Sequence, residues 1–249
     1  MMNESSSHVL AVAKREWRAY FDSPVAYVFI IIFLMLVGFF TFSLAQFFEA
    51  GQADLNGFFT WHPWLYMILV PAVAMRLWAE ERRSGTIELL FTVSVTPLQA
   101  LLGKFFAAWL FMLLALALTF PIPMTALYLG SPDMGAVVAG YLGSGLLAGA
   151  YVAAGMFTSA LTRNQVISFI LAVVIGLFLI LAGYPPVTDL LARWAPMWLV
   201  DGVASFSFMR HYEALQRGVI DLRDLTYFAS VMVFMLFATQ VVLKNKVGR

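Results

Sequence analysis

The chain has 249 residues, of which 62% are hydrophobic and 12% are charged, and its formal net charge is +1. A water-soluble fold of this size cannot bury so large an apolar fraction, so the composition predicts a polytopic membrane protein. The near-neutral charge argues against nucleic-acid binding. The absence of cysteine excludes disulfides, thiolate metal sites and cysteine nucleophiles.

The N-terminal segment mixes basic and apolar residues. Residues 8–22 place Lys14, Arg15 and Arg18 among apolar side chains, with Trp17 as an aromatic anchor. This pattern predicts an amphipathic helix lying on the inner membrane surface, and a simple positive flank of the first span is the alternative. The apolar run that follows is longer than a signal-peptide core and lacks a cleavage site, so we expect it to be retained as a span.

Six apolar segments are predicted to span the membrane, because a helix needs roughly 20 residues to cross about 30 Å of hydrocarbon. They cover residues 24–46, 61–78, 97–129, 134–162, 165–184 and 225–243. The fourth repeats small residues at Gly145, Gly149 and Ala153. That spacing lets helix backbones approach closely, more often within one protein than between copies.

The segment between the fifth and sixth spans is broken. Residues 186–209 are apolar but are interrupted by Asp189, Arg193, Pro196 and Asp201, so they are too short to cross. Such pieces are tolerated at membrane depth only when protein buries them or when they line a cavity. The pattern predicts two short outer helices that dip partly into the bilayer, with interfacial tryptophans.

The sequence shows no catalytic motif and no sign that the chain powers transport by itself. The central portions of the predicted spans carry no ionisable residue, although ion-driven transporters need one there. No Gly-x-x-x-x-Gly-Lys-Ser/Thr loop or hydrolase motif occurs, and the three histidines lie far apart. We therefore expect a non-catalytic chain without a cofactor or metal of its own, and energy supplied by another subunit.

The densest run of charge lies between the second and third spans. It comprises Glu80, Glu81, Arg82, Arg83, Ser84, Gly85, Thr86, Ile87 and Glu88. Gly85 is a permissive helix start, and Glu88 follows at the favoured third position. The pattern predicts a helix over residues 80–92 at the membrane surface with one charged side free for a partner. The residues alone fit a charged loop that only fixes orientation equally well.

With Pro97 and Gly103-Lys104, this run resembles the cytoplasmic coupling segment of ABC-2 type permeases, and among them the permease of gliding-motility ABC transporters. The family form is an acidic-basic cluster, Gly-Thr-hydrophobic-Glu-Leu-Leu, a proline-containing link and Gly-Lys. Pro97 stands two or three residues later than is usual. A second resemblance, just before the last span, lies in the motif containing Arg217, Gly218, Asp221, Arg223 and Asp224. From its chemistry we expect a structural role there, with Asp224 capping the last span.

The resemblance implies an all-α membrane fold with an elbow helix at residues 8–22, a coupling helix at 80–92 and re-entrant outer helices at 186–209. It implies a permease subunit of an ATP-driven exporter in a bacterial inner membrane, paired with a second permease and with two ABC ATPase subunits that bind ATP and Mg. The resemblance also implies that the ATPase contacts Glu80, Glu81, Arg82, Gly85, Thr86 and Glu88. Both termini are then cytoplasmic, and eleven of the fifteen lysines and arginines lie on the inner side.

Two functions remain open at this level. The apolar, aromatic-rich spans suit an unidentified amphiphilic cargo, with membrane lipid around them. The alternative is a mechanotransmission or assembly protein that shares the ABC-2 architecture but acts on an outer accessory protein through residues 187–224 and moves no cargo. A cargo-sized gap between paired spans favours export. An ATP-independent channel leaves the charged run unexplained.

Overall fold

The computed structural model describes residues 4–49, 51, 53–86 and 96–247. Within these ranges the chain forms helices and no strand. The helices are α1 (Glu4–Phe21), α2 (Pro24–Phe39), α3 (Asn56–Thr60), α4 (His62–Ala74), α5 (Arg76–Ser84), α6 (Pro97–Ala117), α7 (Pro121–Leu129), α8 (Met134–Leu161), α9 (Gln165–Leu181), α10 (Pro185–Ala192), α11 (Met197–Ala204), α12 (Phe208–Gln216) and α13 (Leu222–Val247). A π-helical turn, Phe40–Leu44, extends α2.

Side-chain caps start four of the long helices. Ser23 accepts from the second residue of α2, and Asp133 and Asn164 do the same for α8 and α9. At α6, Thr96 and Gln99 form a reciprocal capping box, with bonds of 3.3 and 2.8 Å. These caps satisfy amide groups that the helix itself leaves without acceptors.

Helix α8 lies at the centre of the described fold, in contact with α4, α5, α6, α9, α12 and α13. Its small residues make this possible. A Cβ added at Gly155 would lie 2.5 Å from the Cβ of Ala74, and one at Gly149 would lie 2.9 Å from the Trp109 indole nitrogen. Ala153 is fully buried. The small-residue face therefore packs against helices of the same chain.

Four described helical stretches are long and apolar enough to cross a membrane, and a fifth is added if α9 and α10 count as one span. The four are Pro24–Leu44, Pro97–Leu129, Met134–Leu161 and Leu222–Asn245. The predicted second span, residues 61–78, is instead divided between the 13-residue α4 and α5. The chain is thus a multi-pass helical protein by these criteria, and six spans stay a prediction.

Gly85 follows the last residue of a helix. Residues 80–84 belong to α5, which begins at Arg76, and Gly85 closes it with φ 73°. Glycine is favoured here because it adopts left-handed backbone angles without a Cβ penalty, while Arg82 and Arg83 suit the negative end of the helix dipole. The structure thus places residues 80–84 in a helix that begins before the predicted start, and the predicted helix beyond Thr86 stays a prediction. Glu88 lies outside the described residues.

The segment between α9 and α13 contains two short helices where two were predicted, and a third helix follows them. Helices α10 and α11 fall within residues 186–209 almost entirely, and α12 follows from Phe208. Helix α10 is bent by 70° from α9 and buries no residue, and Trp194 and Trp198 are both 73% exposed. By contrast, α12 buries Phe208, Tyr212 and Leu215 in the core. Helix α11 buries only Val200 and Ala204, so α12 makes the largest buried contribution of the three helices.

Candidate functional site

The start of α5 is fastened to α8 by one hydroxyl group. Ser159 Oγ accepts hydrogen bonds from the amides of Trp78 and Ala79, both at 3.0 Å, and donates to the Met75 carbonyl at 2.7 Å. These amides belong to the first turn of α5, where the helix supplies no acceptor. Ser159 therefore acts as an N-cap contributed by another helix, and it bridges the break between α4 and α5.

Lys104 joins three helices through ion pairs. Its ammonium lies 2.9 Å from Glu81 Oε1 on α5 and 3.3 Å from Glu16 Oε1 on α1, and the side chain is only 3% exposed. It also lies 5.2 Å from the centroid of the Trp78 ring. A buried cation is tolerated only when it is paired and hydrogen-bonded. The cluster of Lys104, Glu16 and Glu81, here called the charged junction, therefore holds α1, α5 and α6 in one arrangement.

Glu16 is ionised in this setting. Burial would raise the pKa of Glu16, but Lys104 and Arg15 hold it below its usual value. Arg15 reaches the same Oε1 atom at 2.7 Å. Beside this contact α1 and α6 touch closely, because a Cβ at Gly103 would lie 2.7 Å from the Val12 side chain. Packing and charge thus fix α1 on α6 together.

A small pocket of about 210 Å³ opens beside the charged junction. It is lined by Glu16, Ala19, Tyr20, Arg76, Leu77, Glu80, Glu81 and Lys104. Arg76 lies 5.0 Å from the centroid of the Tyr20 ring, which stacks on Phe111 at 4.8 Å, and burial raises the pKa of Tyr20. Glu81 Oε2 is buried and has no hydrogen-bond partner among the described residues. The Tyr20 hydroxyl is likewise buried without a hydrogen-bond partner there, so two residues that line the pocket carry unpaired polar atoms.

The predicted contact residues divide into an inward and an outward group. Glu81 faces Lys104, and Arg82 donates to the Ala160 carbonyl at 2.6 Å. Burial, and then repulsion from Arg163, lowers the pKa of Arg82. The outward group is Glu80, Gly85 and Thr86, which are exposed. Glu80 accepts from Gln165 at 2.9 Å. The side of α5 open to solvent is therefore smaller than the charge run indicates.

A family comparison identifies the class of protein that carries this arrangement. The sequence model of the ABC-2 family transporter protein matches residues 55–239, about three quarters of the chain. The chain belongs to the ABC-2 transporter family. A search of curated proteins finds no significant match. Members of this family are membrane transport components, generally non-catalytic, that work with an ABC ATPase subunit.

The motif just before α13 of this ABC-2 protein forms a turn. Gly218 has φ 85°, and a Cβ there would lie 3.0 Å from the Ala136 backbone. Asp221 Oδ1 accepts from the Arg223 amide at 2.9 Å and so caps α13. Because α13 begins at Leu222, before the predicted residue 225, Asp221 replaces Asp224 as the cap. Arg217 Nε bonds back to the Glu213 carbonyl at 3.2 Å.

Two buried polar clusters of the ABC-2 protein are not evident from sequence. Asp224 pairs with His211 at 2.6 Å, which joins α13 to α12. In the other cluster, Ser144 Oγ lies 3.0 Å from His62 Nδ1 and 2.9 Å from Tyr212 Oη. The partners stand 13 to 150 positions apart, so no local spacing reveals them. From the sequence, Lys104 was noted only as part of the Gly-Lys motif, and its pairing with Glu16 and Glu81 was not predicted.

Proposed function

We propose that this chain is the permease subunit of an ABC exporter and that a separate ATPase docks on the end of α5. The observation that carries the proposal is the charged junction. It connects a short helix with an exposed charged end to α1 and α6, while Ser159 connects the same helix to α8. A force applied to α5 therefore reaches two long apolar helices directly.

The strength of these links supports rigid-body coupling. Removing one partner of a buried ion pair costs about 3–5 kcal/mol, so α5 does not detach easily from α6. Helices that are held in this way move together when a domain closes or tilts. In the proposed cycle, ATP binding closes two ATPases, which pull on α5 in each of two paired permeases and tilt the spans.

The remaining parts of the proposal rest on the family and on composition. The ATPases bind ATP and Mg, and this chain supplies the docking surface through Glu80, Gly85, Thr86 and Glu88. Glu81 and Arg82 act behind that surface as links to α6 and α8. The membrane is the bacterial inner membrane, with both termini in the cytoplasm and six spans. The cargo is an amphiphile, in keeping with the apolar chain.

Purification of the tagged chain from its native membrane in mild detergent tests the proposal. Mass spectrometry of the bound proteins is combined with an ATP hydrolysis assay on the same sample. We expect a phosphate-loop ATPase to co-purify. The double variant Thr86→Arg/Glu88→Ala should lose the ATPase or its stimulation while the chain still folds.

Arg193→Ala serves as the matched control, because Arg193 is a charged residue that follows α10 in the outer segment. It should retain the ATPase at the wild-type level. Isolation of the chain alone and inert in several detergents would count against an ATPase-coupled permease. Equal loss of the ATPase in Arg193→Ala would show that docking does not depend on the end of α5.

A further inference from the structure

His211 of α12 makes a buried contact with α13 and with the link between α11 and α12. Its side chain is 7% exposed, and that of Asp224 is 10% exposed. The ring nitrogen Nδ1 lies 2.6 Å from Asp224 Oδ1, and the other ring nitrogen, Nε2, lies 3.2 Å from the Ser205 carbonyl oxygen. The Tyr227 ring stacks on the imidazole, with 3.9 Å between the centroids. One histidine therefore contacts α13 at two positions and the end of α11 at a third.

Both ring nitrogens of His211 face hydrogen-bond acceptors. An ionised carboxylate and a carbonyl oxygen only accept, so each contact needs a proton on the nitrogen that makes it. The neutral imidazole carries a single N–H, so it satisfies one acceptor while the lone pair of its other nitrogen points at the second. The imidazolium donates at both nitrogens, and its bond to Asp224 is charge-assisted. The arrangement therefore fits the protonated ring better than the neutral ring.

The helices packed on α12 bring few ionisable groups to it. They are α3, α8, α9 and α13, and the first three carry no acidic or basic side chain, apart from the phenols Tyr141 and Tyr151 of α8. Near its start, α13 supplies Asp224 and the Tyr227 phenol, both in contact with the His211 ring. The acidic and basic side chains on α11, on the rest of α12 and at the start of α13 that are exposed to solvent are Asp201, Arg210, Glu213 and Arg223. A protonated His211 is therefore balanced by one buried carboxylate.

The contact at His211 holds a segment that has little other burial. Helix α10 buries no residue, and α11 buries only two. Three side chains fasten the link between α11 and α12: His211 at the Ser205 carbonyl, Tyr227, whose hydroxyl donates to the Phe206 carbonyl, and Ser207, whose hydroxyl donates to a carbonyl of α9. Helix α12 is anchored separately by its buried apolar side chains. Loss of the bond at Ser205 would therefore loosen α10 and α11 while α12 stays packed in the core.

We propose that His211 is a pH-sensitive latch for the segment formed by α10 and α11. In acid the imidazolium bonds to both Asp224 and Ser205, and the segment is held on the bundle. When the ring gives up one proton, it keeps the bond to Asp224 and releases Ser205. Histidine is the side chain whose charge ordinarily changes between about pH 5 and pH 8. Because the closed form holds the additional proton, the latch closes at the acid end of this range and opens as pH rises. This role does not depend on where the ATPase docks.

A spin label on α11 measures the state of the latch. The chain contains no cysteine, so Gly202→Cys gives a single labelling site, and a Cβ at Gly202 meets nothing within 4 Å. In the purified full chain, the mobile fraction of the label should rise as pH is raised from about 5 to about 8. In His211→Gln the fraction should not change with pH, because an amide does not titrate in this range. The control His8→Gln alters a histidine of α1, which packs on α2 and α6, and should retain the response.

Asp224→Asn tests the charge of the latch separately from its packing. The amide keeps the size of the side chain and an oxygen that accepts from Nδ1, but it removes the charge that favours the imidazolium. The midpoint of the mobility change should therefore fall by about 1 pH unit or more, whereas a purely structural contact would leave the midpoint in place. Label mobility that is independent of pH in the otherwise wild-type chain, or a pH response that survives in His211→Gln, would overturn the proposal. If His211→Gln does not fold, an unshifted midpoint in Asp224→Asn refutes the latch.

Discussion

Replacing Lys104 by methionine tests whether the charged junction holds α5 against α1 and α6. The change keeps the aliphatic stem but removes the ammonium that lies 2.9 Å from Glu81 and 3.3 Å from Glu16. The two carboxylates are 20% and 17% exposed, so they lose their shared cation in a largely desolvated place. Unpairing a buried charge costs about 3–5 kcal/mol. Because both carboxylates keep some exposure to solvent, we expect Lys104→Met to lower the free energy of unfolding by about 3 kcal/mol.

The predicted loss is measured by thermal unfolding of the purified chain in detergent. For a chain of this length, 1 kcal/mol shifts the Tm by about 2–4 °C, so Lys104→Met should lower it by about 6–12 °C. Glu81→Gln and the double variant Lys104→Met/Glu81→Gln complete a double-mutant cycle. Neighbours in one ion-pair network couple by about 0.5–3 kcal/mol, so the double variant should be more stable than the sum of the single changes predicts.

The control is Lys244→Met, because Lys244 is exposed and makes no ion pair within the described ranges. Surface changes of this kind alter stability by about 0.5 kcal/mol or less. If Lys104→Met is no more destabilising than this control, or if the two single changes add without coupling, the charged junction does not fix α5. The rigid link on which the proposed transmission depends would then be refuted.

Ser159→Ala should cost about 1–2 kcal/mol, because two amides of α5 lose their cap, and the same thermal assay measures it. Gly85→Ala should cost about 1–2 kcal/mol for its left-handed backbone, whereas Gly85→Asn should be tolerated better. Gly155→Val should cost about 1–3 kcal/mol by overpacking, with Gly202→Ala as a control that meets nothing within 4 Å. The pairing of Glu16 lowers its pKa in the folded state, so this contribution to stability should be complete above the ordinary carboxyl pKa of 4.5 and should be lost as pH falls through the lower folded pKa. Glu16→Gln should therefore flatten the dependence of Tm on pH in the acid range.

The charge run shows how far local sequence reasoning extends. Residues 80–86 stand out because charge is rare in this chain, and the structure places residues 80–84 at the end of α5. In the structure Gly85 follows the last residue of α5 in the left-handed conformation, whereas the helix predicted to start there falls mostly on residues 87–92, outside the described residues. At the other end, Ser159 caps α5 at Trp78 from another helix, a contact that no local pattern reveals.

The motif just before the last span shows the same limit of local sequence reasoning. An aspartate near the start of the last span was expected as its cap, and two candidates stand three residues apart. Asp221 caps the helix, while Asp224 is drawn to His211. The sequence identifies aspartate as the capping residue type. Which of the two aspartates caps the helix depends on whether another side chain, here His211, binds one of them.

Composition and residue pattern alone determined that the chain is a multi-pass helical protein, that small residues let its fourth apolar segment pack closely, and that one charged run is exceptional. These conclusions depend on apolar content and helical period, which are local properties of the sequence. Only the tertiary structure decided that Lys104 holds Glu16 and Glu81 and that Ser159 caps α5. Each of these depends on atoms brought together from distant positions, because buried charges and amides take whichever partner the fold brings within hydrogen-bonding distance.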